Sequence, residues 1–453
     1  MQRRDFIGKT IIGTAGIAVG SSFMPIGSRV KGANDKIVLA LIGAGGRGTD
    51  TIISNCKVNA NVEIKTICDV NDVKAFKTIA TVEKELGYKP GHSRDMKEVF
   101  NDKDIDAVWI ATPEHWHALA TVWACQAGKD VYVEKNPTVC IWEGRKMIEA
   151  AKKYNRIVQV GFQNRSAPYA FSARDYIQSG QLGEIVHVKS YNMLGGSKWE
   201  PQADSPVPQG LNWDAWQGPA PSRPYNPGIH DMESRGGWGN FWAYSGGTLA
   251  DDASHVLDLA RLVLGDPGHP KSVYGWGGNT AWGSSKETPE FQSITFDFGK
   301  YAHTCESGSS TNYMKKTPQH IRMDPTLFPD WRTNATRTEI YGTKGLMYLG
   351  RHGGGWQVKG EDSVLIAQGG GVFPDKDHQL DFIESLRTRK KPNGDLEQGQ
   401  LSATLVHLGN IVYRVGNKQL FFDGAKEKFI GNDEANKLLR RKYPEGYSIP
   451  DNV

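Results

Sequence analysis

A buried strand that runs directly into a glycine-rich turn constrains this chain more than any other stretch. KIVLALIG, residues 36–43, is apolar at nearly every position, as a strand covered on both faces requires. GAGGRG follows, with Gly43, Gly45 and Gly48 in G-x-G-x-x-G spacing. The first glycine permits a tight turn, the second lets backbone approach a pyrophosphate, and the third lets the next helix lie close to the strand. Phosphates then rest on the free amides of the helix start, which makes these glycines candidate cofactor contacts. A chain with 52 glycines produces such spacing by chance, so the context matters. A second apolar run, NVEIKTIC, ends at Asp69, 21 residues past Gly48. An acid at that distance accepts hydrogen bonds from the adenosine ribose and repels a 2′-phosphate, so the cofactor is read as NAD. Arg47 keeps NADP open, because its guanidinium could reach a 2′-phosphate.

Three more apolar runs, DAVWIATP, DVYVEK and RIVQVGF, alternate with helical patterns. This is the signature of an α/β fold with a doubly wound parallel sheet, expected over residues 35–162. Residues 163–453 remain for a second domain, a division the length of 453 residues allows. Ligands of such sheets bind outside the carboxyl ends of the strands, so Thr112-Pro113, Glu134-Lys135 and Phe162-Gln163-Asn164 should line the crevice. His117, in EHWH, belongs at a helix start beside the cofactor. The His and Cys positions lack a four-ligand spacing, and no metal is expected.

The first 34 residues read as an address rather than as fold. Arg3-Arg4-Asp5-Phe6-Ile7 precedes a Gly/Ala-rich apolar run too short to span a membrane. The Arg pair followed by Phe resembles a twin-arginine signal, which exports proteins already folded, so a periplasmic location is expected. A cytoplasmic protein with a chance Arg-Arg start is the competing reading. Lys and Arg number 54 against 50 Asp and Glu, a thin excess with no long run of one sign. Nucleic acid and membrane surfaces are therefore not expected as partners. The five cysteines (56, 68, 125, 140 and 305) have no paired spacing, and most read as inert buried thiols.

Two groups of residues are suited to chemistry. Lys135 follows the DVYVEK strand, at the edge where a nicotinamide would lie. The stretch GGTLADDASHVLDLARLVLG has the apolar periodicity of a helix from Leu249 to Val263, and Asp251 and His255 at i and i+4 would share its face. Asp258 extends that face. Alcohol oxidation needs a group that takes the hydroxyl proton and a cation that steadies the developing alkoxide, roles open to His255 and Lys135 with Asp251 orienting. The bland alternative makes Asp251 a helix cap and His255 a half-buried surface group. An aromatic stretch, LNWDAWQGPAPSRPYNPGIHDMESRGGWGNFWAYSGG, reads as a wandering loop that either offers rings to a sugar or packs upon itself.

Taken together, GAGGRG, Cys68-Asp69, ATPEHWH, VYVEK and GGTLADDASHVLD resemble the Gfo/Idh/MocA oxidoreductases over nearly all of the chain after residue 35. NRIVQVGFQNRS, GQLGEIVHVKSYNM and the tail DEANKLLRRKYPEGYSIP are also similar to the family, the tail to its exported bacterial members. The resemblance implies a C-terminal α/β domain built on a large open, mainly antiparallel sheet that commonly forms a dimer or tetramer contact. It implies NAD(P)-dependent chemistry on a sugar or polyol hydroxyl, with Asp251 and His255 beside the substrate. Glu134 and Gln163 are assigned to the cofactor, and Asn164, Arg165 and Tyr244 to the substrate. One position departs: the chain has Glu134-Lys135-Asn136-Pro137 where the family usually has Glu-Lys-Pro, which alters the loop that aims Lys135. The leading expectation is an exported oxidoreductase holding NAD tightly and acting on a carbohydrate hydroxyl. An NAD-dependent glycosidase that oxidises transiently and cleaves by elimination is the rival. A non-catalytic, NAD-bound carbohydrate-binding protein is the third reading.

Overall fold

The computed structural model describes residues 35–230 and 236–453, so the twin-arginine stretch lies outside the described residues. Six parallel strands form the first sheet: β1 (Ile37–Ile42), β2 (Val62–Cys68), β3 (Gly91–Ser93), β4 (Ala107–Ile110), β5 (Asp130–Val133) and β6 (Val158–Val160). Their order is β3-β2-β1-β4-β5-β6, the doubly wound arrangement with a switch point between β1 and β4. β3 is a three-residue edge strand that the sequence pattern did not expose. Helices α1 (Gly46–Val58), α2 (Asp72–Leu86), α3 (Met96–Asn101), α4 (Glu114–Gln126) and α5 (Ile141–Lys153) cross between the strands. Each boundary has a local cause. Asn71 caps α2 by accepting from the N–H groups of Val73 and Lys74, and Gly87 ends it at φ +81°.

The second sheet has ten strands in the order β14-β13-β12-β11-β7-β10-β9-β8-β15-β16. In chain order these are β7 (Ile185–Leu194), β8 (Ser272–Gly278), β9 (Phe291–Asp297), β10 (Ala302–Ser309), β11 (Thr336–Gly342), β12 (Gly345–Gly350), β13 (Trp356–Lys359), β14 (Leu365–Gly369), β15 (Leu420–Asp423) and β16 (Lys428–Ile430). β7 and β10 pair in parallel and the other neighbours antiparallel. The helices Ser254–Val263 and Leu396–Arg414 cover one face through an apolar core that includes Val256, Leu257, Ile294 and Val412.

The two halves are not two consecutive blocks of sequence. Phe382, Ile383 and Leu386 of the helix Asp375–Thr388 pack into the core of the first sheet, as do Ile449 and Val453 of the tail. The tail also grips α4: Arg441 Nη2 donates to the His115 carbonyl at 2.6 Å, and the Tyr447 ring meets Trp116 edge-on at 5.6 Å. The start of α4, which faces the crevice, is thus fixed from behind by the last residues of the chain.

Candidate functional site

The glycine loop joins β1 to α1, and each glycine has a distinct cause. Gly43 takes φ +96°, and a Cβ there would lie 2.7 Å from the Ala111 backbone. A Cβ on Gly48 would meet the Gly43 carbonyl oxygen at 2.3 Å, so α1 can approach β1 only without a side chain. At Gly45 and Gly46 a Cβ would face open space. That space is a cavity of about 370 Å³, lined by the glycines, Asp69, Thr112, Pro113 and Trp116. No side chain caps α1, which leaves its first amides for an anion. Asp69 Oδ2 accepts from Ala44 N at 2.7 Å and Oδ1 from Asn71 N at 2.8 Å. Burial pushes this carboxyl up, against the pull of those two N–H groups. Asp69 therefore ties the glycine loop to the end of β2 and stands in the cavity wall, where a ribose would meet it. An amide-lined turn with room for a pyrophosphate and an acid beyond it fits NAD.

The aromatic stretch closes this cavity from the side. Ala215, Trp216, His230 and Trp238 line it opposite the glycines. The stretch is pinned down: Asn212 N donates to Val70 O at 2.9 Å, and Trp216 O accepts from His115 Nε2 and Trp116 Nε1, each at 3.0 Å. The rings pack upon one another, and two of them also face a cavity. Trp213 and Trp216 stack at 4.6 Å in a buried cluster with Tyr225 and Tyr244, while Trp216 and Trp238 also face a cavity.

A second cavity of about 960 Å³ continues past the strand ends, walled on one side by Thr112, Glu114, His117, Glu134 and Lys135 and on the other by the large-sheet domain. Lys135 Nζ donates to Asp251 Oδ1 at 2.8 Å. Burial disfavours the ammonium, yet Asp251 and Asp252 together hold it above its ordinary value. His255 lines the same cavity, with Phe162 edge-on at 5.6 Å. Its Nδ1 is buried without a hydrogen-bond partner. Burial, reinforced by Arg351 and Lys135, holds this imidazole well below its usual pKa, so it rests neutral and is a weak base while that positive charge is unopposed.

The regular helix expected from Leu249 is corrected. Residues Leu249–Ala253 wind as a π turn, Asp251 has φ −72° and ψ −126°, and the α-helix begins at Ser254. The i, i+4 geometry between Asp251 and His255 does not exist. Asp251 instead leans out toward Lys135, its side chain 62 % exposed. The acid facing inward is Asp252, which the sequence reading passed over. It pairs with Lys316 and lies 3.8 Å from His352 Nε2. Despite burial, His352, Lys316 and Arg351 hold Asp252 well below the usual carboxylate range. Asp258 does not extend the catalytic face; it is buried against Arg165 and Ser402.

Several expected residues lie elsewhere. Arg165 is 2 % exposed, with Nε on Asp258 at 2.7 Å and Nη2 on Asp266 at 2.9 Å, and it lines neither cavity. Two carboxylates drawn from a different helix end claim every direction of its fork. Asn164 donates to Tyr169 Oη and to the Arg351 carbonyl, and Gln163 Oε1 accepts from Arg351 Nη2 at 3.4 Å, so both buttress the wall. Tyr244 lies in the aromatic cluster, off the cavity surface. Arg47 lines both cavities, with its guanidinium held by acids: its Nε donates to Glu134 at 2.8 Å and its Nη2 lies 3.6 Å from Asp375. His117 is held by two carbonyls, with Nδ1 2.7 Å from Asn136 O and Nε2 2.8 Å from Thr112 O. Asn136 thereby joins the Lys135 loop to α4. Among the described residues no cluster of His, Cys, Asp or Glu has metal-binding geometry, and no helix is long and apolar enough to cross a membrane.

Glu114 is the first residue of EHWH and has no role assigned by the sequence. It is buried at the start of α4, accepts from Gly246 N at 3.2 Å, and lines the larger cavity. Burial pushes its carboxyl up to about 7, although Lys135 and the Gly246 N–H oppose the shift.

Comparison with known proteins gives concordant matches. Residues 37–162 match the NAD-binding Rossmann domain of the Gfo/Idh/MocA oxidoreductases, and residues 176–277 and 363–449 match the family's C-terminal alpha/beta domain. Levoglucosan dehydrogenase of Pseudarthrobacter phenanthrenivorans is 28 % identical over 202 residues, 45 % of this chain and 43 % of the relative. The NAD(+)-dependent scyllo-inositol 2-dehydrogenase of Bacillus subtilis is 30 % identical over 184 residues, 41 % of this chain and 42 % of the relative. The matched segment thus spans less than half the length of either protein. A solved levoglucosan dehydrogenase, in complex with NADH and levoglucosan, superposes with a TM-score of 0.60 at 18 % identity, covering 87 % of this chain and 99 % of its own.

Proposed function

Because the chain belongs to the Gfo/Idh/MocA oxidoreductase family, we propose that it moves a hydride between a resident NAD and a hydroxyl-bearing carbon of a sugar, glycoside or polyol. The observation that carries this reading is the convergence of Lys135, at the carboxyl end of a Rossmann strand, with Asp251 and His255 of the large-sheet domain around the larger cavity. Bound across that edge, the nicotinamide supplies the hydride acceptor or donor. Lys135, aimed by Asp251, gives a hydrogen bond to the substrate oxygen and steadies negative charge on it. His255 is neutral and takes the hydroxyl proton. Asp252 keeps Lys316 and His352 in place behind them. Levoglucosan dehydrogenase and scyllo-inositol 2-dehydrogenase, by their names, act on a sugar anhydride and a cyclitol, which supports the carbohydrate class.

We further infer that NAD stays bound and that the protein is exported by the twin-arginine route with its cofactor loaded. The pinned aromatic stretch over the glycine loop supports retention. At an association rate of about 10⁶ M⁻¹s⁻¹, nanomolar affinity alone gives a residence time of only minutes, so a cover is needed. The homo-oligomer contact is assigned to the open face of the large sheet, where Tyr274 and Trp276 are exposed. The test is to purify the protein from the exported fraction, dialyse it, and follow nicotinamide absorbance and product mass with glucosides, galactosides and inositols. A keto product with bound cofactor is the expected result. Release of the aglycone without net redox change would establish the glycosidase reading, and absence of any nicotinamide change would favour the binding protein. Empty protein that needs millimolar NAD would refute retention.

A further inference from the structure

Arg351 follows β12 and stands in the wall of the larger cavity, 3 % exposed. Its guanidinium lies 5.0 Å over the Phe373 ring and touches Gln163 through Nη2, but Nε and Nη1 have no hydrogen-bond partner. A buried guanidinium with unmet donors is costly to the fold and is repaid by a ligand that completes it. The charges around it point to the sign of that ligand. Lys135 is matched by Asp251, Lys316 by Asp252, and Arg47 by Glu134 and Asp375. Arg322 spends Nε on the Thr317 carbonyl, and among the described residues neither it, Lys286 nor Arg351 pairs with a carboxylate. The lining holds six Lys and Arg against five Asp and Glu, and one of the five, Glu114, is pushed up to about 7, so Arg351 and Arg322 are left with positive charge that no carboxylate meets at contact distance.

We propose that the substrate is an anionic sugar, whose carboxylate or phosphoryl group seats against Arg351 and Arg322 while its reacting hydroxyl lies at Lys135 and His255. The planar fork of arginine matches either group with two parallel hydrogen bonds, which no neutral hydroxyl reproduces. An anion there has a second consequence. Arg351 is one of the charges that depress the His255 imidazole, so neutralising it makes His255 more basic when the correct substrate is bound. The inference rests on the carbohydrate reading above and adds the charge of the sugar.

The test is calorimetric titration of the cofactor-loaded protein with matched sets in the gluco and galacto series: the free sugar, its uronate and its 6-phosphate. At least one anionic member should bind about tenfold or more tightly than its neutral parent, as a charge-assisted pair contributes. The uronate and phosphate arms separate the two groups. In Arg351→Gln the ratio of anionic to neutral affinity should fall toward one, and Arg322→Gln, at a more exposed position, should lower it in the same direction if Arg351→Gln does not fold. Neutral sugars that bind as well as both anions, a ratio unchanged in the variants, or no binding by any anionic member would each overturn the proposal. Nicotinamide absorbance is read separately. Oxidation of a neutral sugar without anion preference would refute this inference and leave the oxidoreductase intact, whereas anion binding without any hydride transfer would do the reverse.

Discussion

Glu114→Gln should make the protein more stable at alkaline pH, and the size of the gain follows from where the carboxyl is buried. The folded chain raises this carboxyl from an ordinary 4.5 to about 7, burial outweighing Lys135 and the Gly246 N–H. Between those values the folded state holds a proton that the unfolded state has released. Stability therefore falls as pH rises through that window, and the full penalty is present above about pH 7. One pKa unit corresponds to 1.36 kcal/mol, so a shift of roughly two and a half units amounts to about 3 kcal/mol. Glutamine keeps the shape and an acceptor for Gly246 N but cannot ionise. The assay is a pair of melting curves taken from pH 5 to pH 8.5 in one buffer system. The gap between variant and parent should widen with pH and level off above about 7, reaching a few degrees for a chain of this size. Every other titrating group is common to both proteins and cancels in the difference. A gap that is constant with pH, or that widens toward acid, would refute the burial argument.

Lys135→Met and His255→Ala should each retain bound cofactor while hydride transfer, followed at the nicotinamide absorbance, slows by about 10²–10⁴-fold; turnover within a few-fold of the parent would remove that residue from the mechanism. Asp69→Ala should loosen NAD and relax its preference over NADP, since the carboxylate both faces the ribose position and ties the glycine loop through Ala44 N; tighter binding of NADP than NAD by the parent would contradict this. Gly48→Ala should abolish cofactor binding, because its Cβ would meet the Gly43 carbonyl at 2.3 Å and force α1 off β1; a variant that still copurifies with cofactor would show that the helix can shift.

The first domain was legible because its signals are local. Apolar runs of strand length, the spacing of Gly43, Gly45 and Gly48, and Asp69 at the end of β2 each report a backbone requirement satisfied within a few residues. Lys135 was readable for the same reason, as the residue following a parallel strand. What the sequence could not decide were side-chain directions fixed from far away. One residue of extra winding at Leu249–Ala253 turned Asp251 outward and Asp252 inward, and hydrophobic periodicity does not register a single π turn. Arg165 looked free for substrate until partners 93 and 101 residues along the chain claimed its guanidinium. Arg351 carried no motif at all, and Glu114, though it lies in ATPEHWH, carried no sign of its raised carboxyl. Their chemistry comes from burial, and burial at a cavity between two domains is set by the packing of strands, an aromatic cover and a returning tail that meet only in the folded chain.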